Sequence, residues 1–155
     1  MEARAILNEY LQPLIDELTS DLLQHHGLDP FNRYLLGVLY AQRESKNEAI
    51  KHLIIACNDY PWNWSAWKLL AQQCSSSDDI SQMIGRLNEH YMRDFFMAQA
   101  NFDLHRNQQC LEIFNRLCDL FPYSTFICGQ IATANQNLIG KLVEIVGFCS
   151  IPLKF

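Results

Sequence analysis

The stretch Pro30 to Asn63, PFNRYLLGVLYAQRESKNEAIKHLIIACNDYPWN, decides the fold of this chain. Within these 34 residues, large or aromatic side chains alternate with small ones at fixed positions, and a proline stands near the end. This size pattern is typical of two antiparallel helices that pack closely as a hairpin. The residues that define it are Leu36, Gly37, Tyr40, Ala49, Leu53, Ala56 and Pro61.

Each small residue in the pattern has a packing role. Gly37 and Ala49 let the two helices of the hairpin approach each other, and Ala56 leaves room for the first helix of the next hairpin. Pro61 ends the second helix because proline cannot donate the helical hydrogen bond. The pattern therefore predicts a tetratricopeptide repeat, whose array supplies a binding surface rather than catalytic groups.

Further repeats follow in the same phase. Trp67 occupies the tryptophan position of a second repeat. This repeat is degenerate because its second helix, predicted from Ile80 to about Asn88, is short and lacks a closing proline. Ala98, Phe114 and Pro122 define a third repeat, and a fourth has only a recognisable first helix, with Ile131 and Ala132 as its large and small pair. We predict an all-α, right-handed α-solenoid, divided into an N-terminal helical segment (1–28), a repeat array (29–137, comprising 30–63, 64–90, 91–124 and 125–137) and a divergent apolar tail (138–155).

The segment before the array contains an apolar stripe at helical spacing. Proline is favoured at the first position of a helix and glycine just after its end. We therefore predict a helix from Pro13 to His26, capped by Gly27, while the residues before Pro13 could form a further turn or a short helix. His25 and His26 then lie in its last turn as solvated side chains rather than as metal ligands.

Composition limits the classes of function. The chain has 155 residues, 49% of them hydrophobic, and a net charge of −5. Its 12 lysines and arginines are scattered, so the basic surface of a nucleic-acid-binding protein is not predicted. No apolar run approaches the length of a membrane span, and the N-terminus lacks the apolar core of a secretory signal. We expect a protein of the nucleus and cytoplasm.

Residue types that could carry chemistry all have a packing explanation. The six cysteines contain no CxxC pair, and most fall in apolar helical patterns, which favours reduced structural thiols over a disulfide framework. Trp62, Trp64 and Trp67 could form an aromatic ligand cage, but Trp67 is predicted to be core and the other two to line a turn. We predict no catalytic residue, cofactor or metal.

The inner groove of such an array is lined by the first helix of each repeat. Its outward positions combine apolar and polar residues without a cluster of cations, so a clamp for a C-terminal carboxylate is not predicted. These positions could serve packing or partner binding, and apolar docking of extended segments or helices is the favoured form of binding. The candidate residues are Tyr34, Val38, Gln42, Lys68, Gln72, Phe95, Gln99 and Phe102.

Three segments together resemble one particular family. They are DPFNRYLLGVLYAQRESKNEAIKHLIIACNDYPWNWSAWKLLAQQC, HYMRDFFMAQANFDLHRNQQCLEIFNRL and IATANQNL. Their combination is similar to the first part of the array in the anaphase-promoting complex subunit 8 family, the cell division cycle protein 23 homologues. The similarity covers roughly residues 28–138, so the chain resembles a truncated member of that family.

The resemblance implies a non-enzymatic scaffold subunit of a nuclear ubiquitin ligase that drives mitotic exit, with the other subunits of that complex as partners. Family members dimerise through N-terminal repeats and help position a coactivator. Because most of those repeats are not matched here, we expect neither homodimerisation nor coactivator binding. No individual functional residue is implied, since the matching positions are structural.

Two other functions fit parts of the pattern. One is a free-standing repeat adaptor that binds peptide segments, against which the missing basic clamp argues. The other is the alpha subunit of a protein prenyltransferase, whose Asn-aromatic-x-x-Trp motif is similar to Asn63 to Trp67. That motif occurs once here, whereas a prenyltransferase would repeat it, and the pattern of small residues favours the tetratricopeptide form.

Overall fold

The structure, a computed structural model, describes the backbone of residues 2–24 and 29–148 and the side chains of residues 8–20 and 29–141. These parts of the chain are built of helices and turns, without a strand. The helices are α1 (Glu2–Gln24), α2 (Pro30–Gln42), α3 (Lys46–Asp59), α4 (Trp64–Gln72), α5 (Ser77–Ile84), α6 (Tyr91–Asp103), α7 (Asn107–Leu120) and α8 (Thr125–Phe148).

Neighbouring helices pack in the order expected of a repeat solenoid. Helices α2 and α3 form one hairpin and α6 and α7 another, while α4 packs on both α3 and α6. Helix α8 packs on α7, and α1 packs on α2. The predicted all-α, tetratricopeptide-like architecture is confirmed.

Helices α2 and α3 approach each other closely at Gly37. A Cβ atom on this residue would lie 2.7 Å from both Cγ and Cδ2 of Leu53, so no side chain fits without displacing that leucine. Leu53 and Ala49 are themselves fully buried. The glycine is therefore required by the approach of α2 to α3, as its position in the repeat predicts.

Local capping sets where several helices begin. The Asp29 carboxylate accepts a hydrogen bond from the Phe31 N–H at 3.3 Å, and Pro30 is the first residue of α2. The Ser76 hydroxyl accepts from the Asp79 N–H at 3.2 Å, so α5 begins at Ser77. The predicted start of this helix at Ile80 is therefore wrong by one turn.

The degenerate second repeat is closed by a side chain rather than by a proline. The Asn58 amide donates to the Arg86 carbonyl at 3.0 Å, and its oxygen accepts from the Asn88 N–H at 2.9 Å. These two bonds hold the segment that follows α5 against the end of α3.

Among the described residues, three hydrophobic clusters form the core. The largest joins α3, α4, α5 and α6 around Trp67 and Phe96, and the second joins α6, α7 and α8 around Phe114. The third joins α1 to α2, where Leu11 and Ile15 contact the face of α2 that carries Leu36 and Leu39.

The predicted start of the first helix at Pro13 is wrong, because α1 begins at Glu2 and contains Pro13 in its interior. An internal proline removes a helical hydrogen bond, at a typical cost of about 3 kcal/mol. Leu11 and Ile15 lie on either side of Pro13 and are both buried against α2. Tertiary packing thus maintains the helix through the proline, while His25, His26 and Gly27 lie outside the described residues.

The fourth repeat also departs from the sequence pattern. Helix α8 continues through Asn137, where the recognisable repeat pattern ends, as far as Phe148. Ala132, predicted as the small buried residue, is exposed, and Ala134 is fully buried instead. Within the described residues no helix follows α8, so only its α7-facing side, which includes Ala134 and Ile127, is buried.

Candidate protein-interaction surface

The predicted groove residues lie on α2, α4 and α6, the first helices of three consecutive repeats. Tyr34, Phe95 and Phe102 also pack against the core clusters, so part of their surface serves packing. The exposed members are Gln42, Lys68 and Gln72, whereas Tyr34, Val38, Phe95, Gln99 and Phe102 are half-buried.

Phe95 is the centre of a larger group of aromatic side chains. Its ring centroid lies 6.2 Å from that of Trp64, 6.4 Å from Phe126 and 5.9 Å from Phe121. Tyr91 lies 6.5 Å from Phe95. The rings of this group meet at tilted or edge-to-face angles, which is the favourable geometry for aromatic pairs. We call the following residues the aromatic cluster: Trp62, Trp64, Tyr91, Phe95, Phe121 and Phe126.

The aromatic cluster borders an open apolar cavity. Trp64, Met92, Phe95 and Phe126 line a space of about 240 Å³, and none of these side chains carries a charge. The cavity is large enough for one or two apolar side chains of a partner and offers no group to bind a carboxylate. Its chemistry favours apolar docking over the recognition of a charged peptide end.

The edge of the cluster is the part most open to solvent. Trp62 is 61% exposed and contacts His90 and Tyr91 edge-on at centroid distances of 5.6 Å. Exposed aromatic side chains that are held by neighbours are the typical anchors of protein interfaces. Trp62 is therefore a strong candidate for contact with a partner.

The three tryptophans of the PWNWSAW segment do not form a cage. Trp67 is 1% exposed, lies in the core, and donates from Nε1 to the Pro61 carbonyl at 2.7 Å. Trp64 turns instead towards Phe95 and Phe126. Only Trp62 and Trp64 thus belong to the surface cluster.

The groove candidates named from the sequence include Phe95 but omit the rest of the lining of the cavity. Tyr91, Met92 and Phe126 join the site because the first turns of α6 and α8 lie near that of α4, and Phe121 joins it from the end of α7. A signal existed in the sequence, since Trp64, Tyr91 and Phe126 all stand at the start of the first helix of consecutive repeats.

The remaining predicted positions lie at helix contacts and turns. Ala56 and Trp67 are buried between α3, α4 and α6, and Ala98 and Phe114 between α6, α7 and α8. Leu36 is also buried, and Tyr40 stacks on the His52 ring at a centroid distance of 5.5 Å. Pro61 lies in the α3–α4 turn and Pro122 in the α7–α8 turn.

The core cysteines are poor nucleophiles. Burial raises the pKa of the Cys74 thiol to about 12 and that of Cys110 to about 11, and it raises the Cys57 pKa further. All three thiols are free and remain protonated at neutral pH. Within the described residues, Cys118 and Cys128 are also free, and Cys149 lies outside them.

Two further searches gave negative results for the described part of the chain. No group of three or more histidine, cysteine, aspartate or glutamate side chains is arranged to hold a metal ion. None of the described helices combines the length and the apolar character that crossing a membrane requires.

The helical hairpins and the aromatic surface define a tetratricopeptide-type interaction module. Residues 2–132 match the family model described as anaphase promoting complex subunit 8 / Cdc23. This chain therefore belongs to the anaphase-promoting complex subunit 8 family. This family match argues against the alternative interpretation of the chain as the alpha subunit of a protein prenyltransferase.

Curated relatives agree with this assignment. Anaphase-promoting complex subunit 8 of Arabidopsis thaliana is 32% identical over 132 residues, which cover 85% of this chain and 22% of the relative. The subunit 8 of Dictyostelium discoideum is 38% identical over 112 residues, covering 72% of this chain and 19% of the relative. The cell division cycle protein 23 homolog of Mus musculus is 31% identical over 148 residues, or 94% and 24% of the two chains. The chain thus spans less than a quarter of the length of these relatives.

Proposed function

We propose that this chain acts as a non-catalytic, protein-binding component of the anaphase-promoting complex, the ubiquitin ligase that controls mitotic progression. The observation that carries the proposal is the aromatic cluster, an exposed apolar site on a repeat array whose family is that of a subunit of this complex. The repeat array provides the shape, and the cluster provides the contact with another subunit.

The chemistry of the cluster suggests how the contact forms. An apolar side chain from an extended or helical segment of another subunit would enter the cavity between Trp64, Met92, Phe95 and Phe126. Trp62, at the exposed edge, would be covered when the segment binds. Burial of about 150–250 Å² for an aromatic side chain would supply much of the binding energy.

Two features of the described chain support a binding role over a catalytic one. The core thiols are held protonated by burial, and none of the four side chains that line the cavity is an acid, a base, a hydroxyl or a thiol. A free-standing adaptor for charged peptide ends is less well supported, because no cation lines this cavity.

The test is affinity purification of the tagged chain from dividing cells, with quantification of anaphase-promoting complex subunits by mass spectrometry. The variant combines Trp62→Ala with Phe126→Ala, which remove two exposed side chains of the cluster. The matched control is Tyr10→Ala, an exposed aromatic residue of α1 outside both the cluster and the predicted groove.

We expect the parent chain and the control to recover the same subunits and the double variant to recover at least about tenfold less, as the loss of interface anchors typically does. Equal recovery by all three proteins would exclude the cluster as the contact site. Recovery of no subunit by the parent would contradict the proposed function.

We also propose that the chain resides in the nucleus and the cytoplasm, as membership of a nuclear ligase would require. Fluorescence imaging of the tagged chain through the cell cycle tests this. Exclusion from the nucleus at every stage would contradict the proposal.

A further inference from the structure

The helix face that carries most of the aromatic cluster has a single charged side chain. Helices α2, α4, α6 and α8 begin at Pro30, Trp64, Tyr91 and Thr125. In each of them the first, second, fifth and ninth residues lie on one side, because steps of three or four residues return to the same face of a helix. We call the residues at these positions of the four helices the groove face. Lys68, the fifth residue of α4, is the one Lys, Arg, Asp or Glu among them.

Lys68 lies beside the cavity that the aromatic cluster borders. It follows Trp64, which lines the cavity, by four residues on α4, a spacing that brings two Cβ atoms to about 5–6 Å. Phe95 is the fifth residue of α6, as Lys68 is of α4, and these two helices pack on each other. Within the described residues the Lys68 ammonium has no hydrogen bond or ion pair, and the residue is exposed. A cation available to a partner thus stands one helical turn from the apolar cavity.

No acidic group of α6 neutralises this cation on the groove face. Asp94 precedes Phe95 but lines a separate cavity between α6 and α7. Asp103 follows Phe95 by eight residues, about 12 Å along the helix, and accepts a hydrogen bond from the Gln99 amide at 2.8 Å. A partner carboxylate would therefore meet attraction at Lys68, whereas a partner cation would meet repulsion.

The groove face favours an extended segment over a helix. Gln72, the ninth residue of α4, is exposed one turn beyond Lys68, and its amide can pair with main-chain N–H and C=O groups. An extended chain has such groups free, whereas a helix uses them internally. Side chains two positions apart in an extended chain lie on the same side, roughly 6.6 Å apart. This spacing matches the rise of about 6 Å between Trp64 and Lys68 along α4.

We propose that the cavity binds an extended, acidic segment of another subunit. An aromatic or large aliphatic residue of the segment enters the cavity, and a carboxylate two positions away pairs with Lys68. Lys68 then sets specificity, because it attracts acidic segments and repels basic ones. This specificity rests on the proposed function, since it concerns the same cavity, and it adds the charge and the spacing that a partner must have.

Short peptides of this chemistry test the contact directly. Capped peptides GFGEG and GEGFG place a carboxylate two positions after or before a phenylalanine, and in the comparison peptides glutamine or lysine replaces the glutamate. Each is titrated into the full ¹⁵N-labelled chain at low and high salt, and NMR follows the indole N–H signal of Trp64 and the amide signal of Lys68. Lys68→Glu reverses the cation, and Lys141→Glu, an exposed residue of α8 outside the groove face, is the matched control.

We expect one of the acidic peptides to shift both signals and to bind about two- to fivefold more tightly than its glutamine counterpart, which is the range of a solvent-exposed ion pair. High salt should reduce this difference. In Lys68→Glu the order should reverse, so that the lysine peptide binds most tightly, while Lys141→Glu should keep the order of the parent chain.

Three results would overturn the proposal. One is an unshifted Trp64 indole signal with every peptide at tens of millimolar, and another is equal binding of the acidic and glutamine peptides. The third is the same change of order in both charge-reversal variants, which would mean that the peptides respond only to net charge.

Affinity purification of the tagged variants separates this specificity from the proposed function. Lys68→Glu should recover about two- to fivefold less of the complex subunits than the parent chain, and Lys141→Glu should match the parent. If the parent recovers the subunits and Lys68→Glu recovers them equally well, the acidic specificity is wrong while the proposed function stands. If the parent recovers none, the proposed function itself is contradicted, and the peptide titrations still decide whether the cavity selects an acidic segment.

Discussion

The first and third repeats share one backbone pattern but fill it with different side chains. The helix contact made by Gly37 and Leu53 in the first repeat is made by Ala98 and Phe114 in the third. Both turns between the paired helices carry a residue with positive φ at the same place, and neither residue is glycine. The pattern therefore fixes the spacing of the backbone, while each pair of side chains adjusts to the other.

The two repeats also differ in their polar core positions. Tyr40 stacks on His52 in the first, with ring planes 8° apart, whereas the equivalent residues of the third are Asn101 and Ile113. Asn101 donates to the Met97 carbonyl at 2.8 Å within its own helix. The first repeat thus places an ionisable group in its core where the third has an aliphatic one.

The largest effect is expected from Gly37→Leu. Its Cβ alone would lie 2.7 Å from Leu53, so the α2–α3 hairpin cannot close around a larger side chain, and we expect a loss of about 3 kcal/mol or more in the free energy of unfolding. Gly140→Leu is the matched control, because no atom lies within 4 Å of a Cβ placed there. Urea unfolding followed by circular dichroism measures both, and similar midpoints would contradict the repeat pattern.

A second test exchanges the glycine of the first repeat, Gly37, and the alanine at the equivalent position of the third repeat, Ala98. Gly37→Ala should destabilise by about 1–2 kcal/mol, because the clash with Leu53 outweighs the higher helix propensity of alanine. Ala98→Gly should cost a similar amount, because it removes a fully buried methyl group and loosens α6. If either substitution stabilised the chain, the idea that Gly37 is matched to Leu53 and Ala98 to Phe114 would be wrong. Thermal unfolding of the two single variants provides the measurement.

His52 makes the first repeat sensitive to pH. Desolvation by burial, followed by the positive charges of Arg33 and Lys51, lowers its pKa below the ordinary value of 6.5, although Glu48 opposes the shift. Between the folded-state pKa of His52 and 6.5, the unfolded chain binds more protons at this residue than the folded chain does. The folded state therefore loses stability as the pH falls below 6.5. His52→Ile, which copies Ile113, should reduce the loss of stability between about pH 7.5 and about pH 5.5.

Urea midpoints at the two pH values measure this effect, with His105→Gln as the control, because His105 is exposed at the α6–α7 turn. An unchanged pH dependence in the His52 variant would assign the acid sensitivity to another group.

The smallest effect is expected at the ion pair between Lys46 and Asp79. Lys46 and Asp79 are partly exposed, so Asp79→Asn should cost less than about 1 kcal/mol. Hydrogen bonds from the Ser75 N–H and from Lys46 lower the Asp79 pKa, so this stability is present at neutral pH and is lost as the pH falls through the folded-state pKa. Hydrogen exchange of the Ser75 amide reports the change locally, and no change would mean that the loop is held by other contacts.

The repeat core could be predicted from the sequence because close packing leaves few choices. Gly37, Ala49, Leu53 and Trp67 all occupy buried positions that their size and spacing indicate. The candidate surface was only partly predictable. Phe95 could be named from its place on a first helix, but Phe121 and Phe126 join it through contacts between segments that are separate in sequence.

Departures from prediction occurred where long-range contacts override a local signal. Pro13 indicates the start of a helix, yet the contacts of Leu11 and Ile15 with α2 sustain the helix on both sides of it. The continuation of α8 past Asn137 was left open by the sequence, because the repeat pattern ends there.

The sequence by itself determined the class of fold, the phase of the repeats and the family, because these depend on residue size at fixed spacing. The tertiary structure decided which side chains form the aromatic cluster and that a cleft opens between α7 and α8. These properties depend on how separate helices pack against each other, which local sequence patterns do not encode.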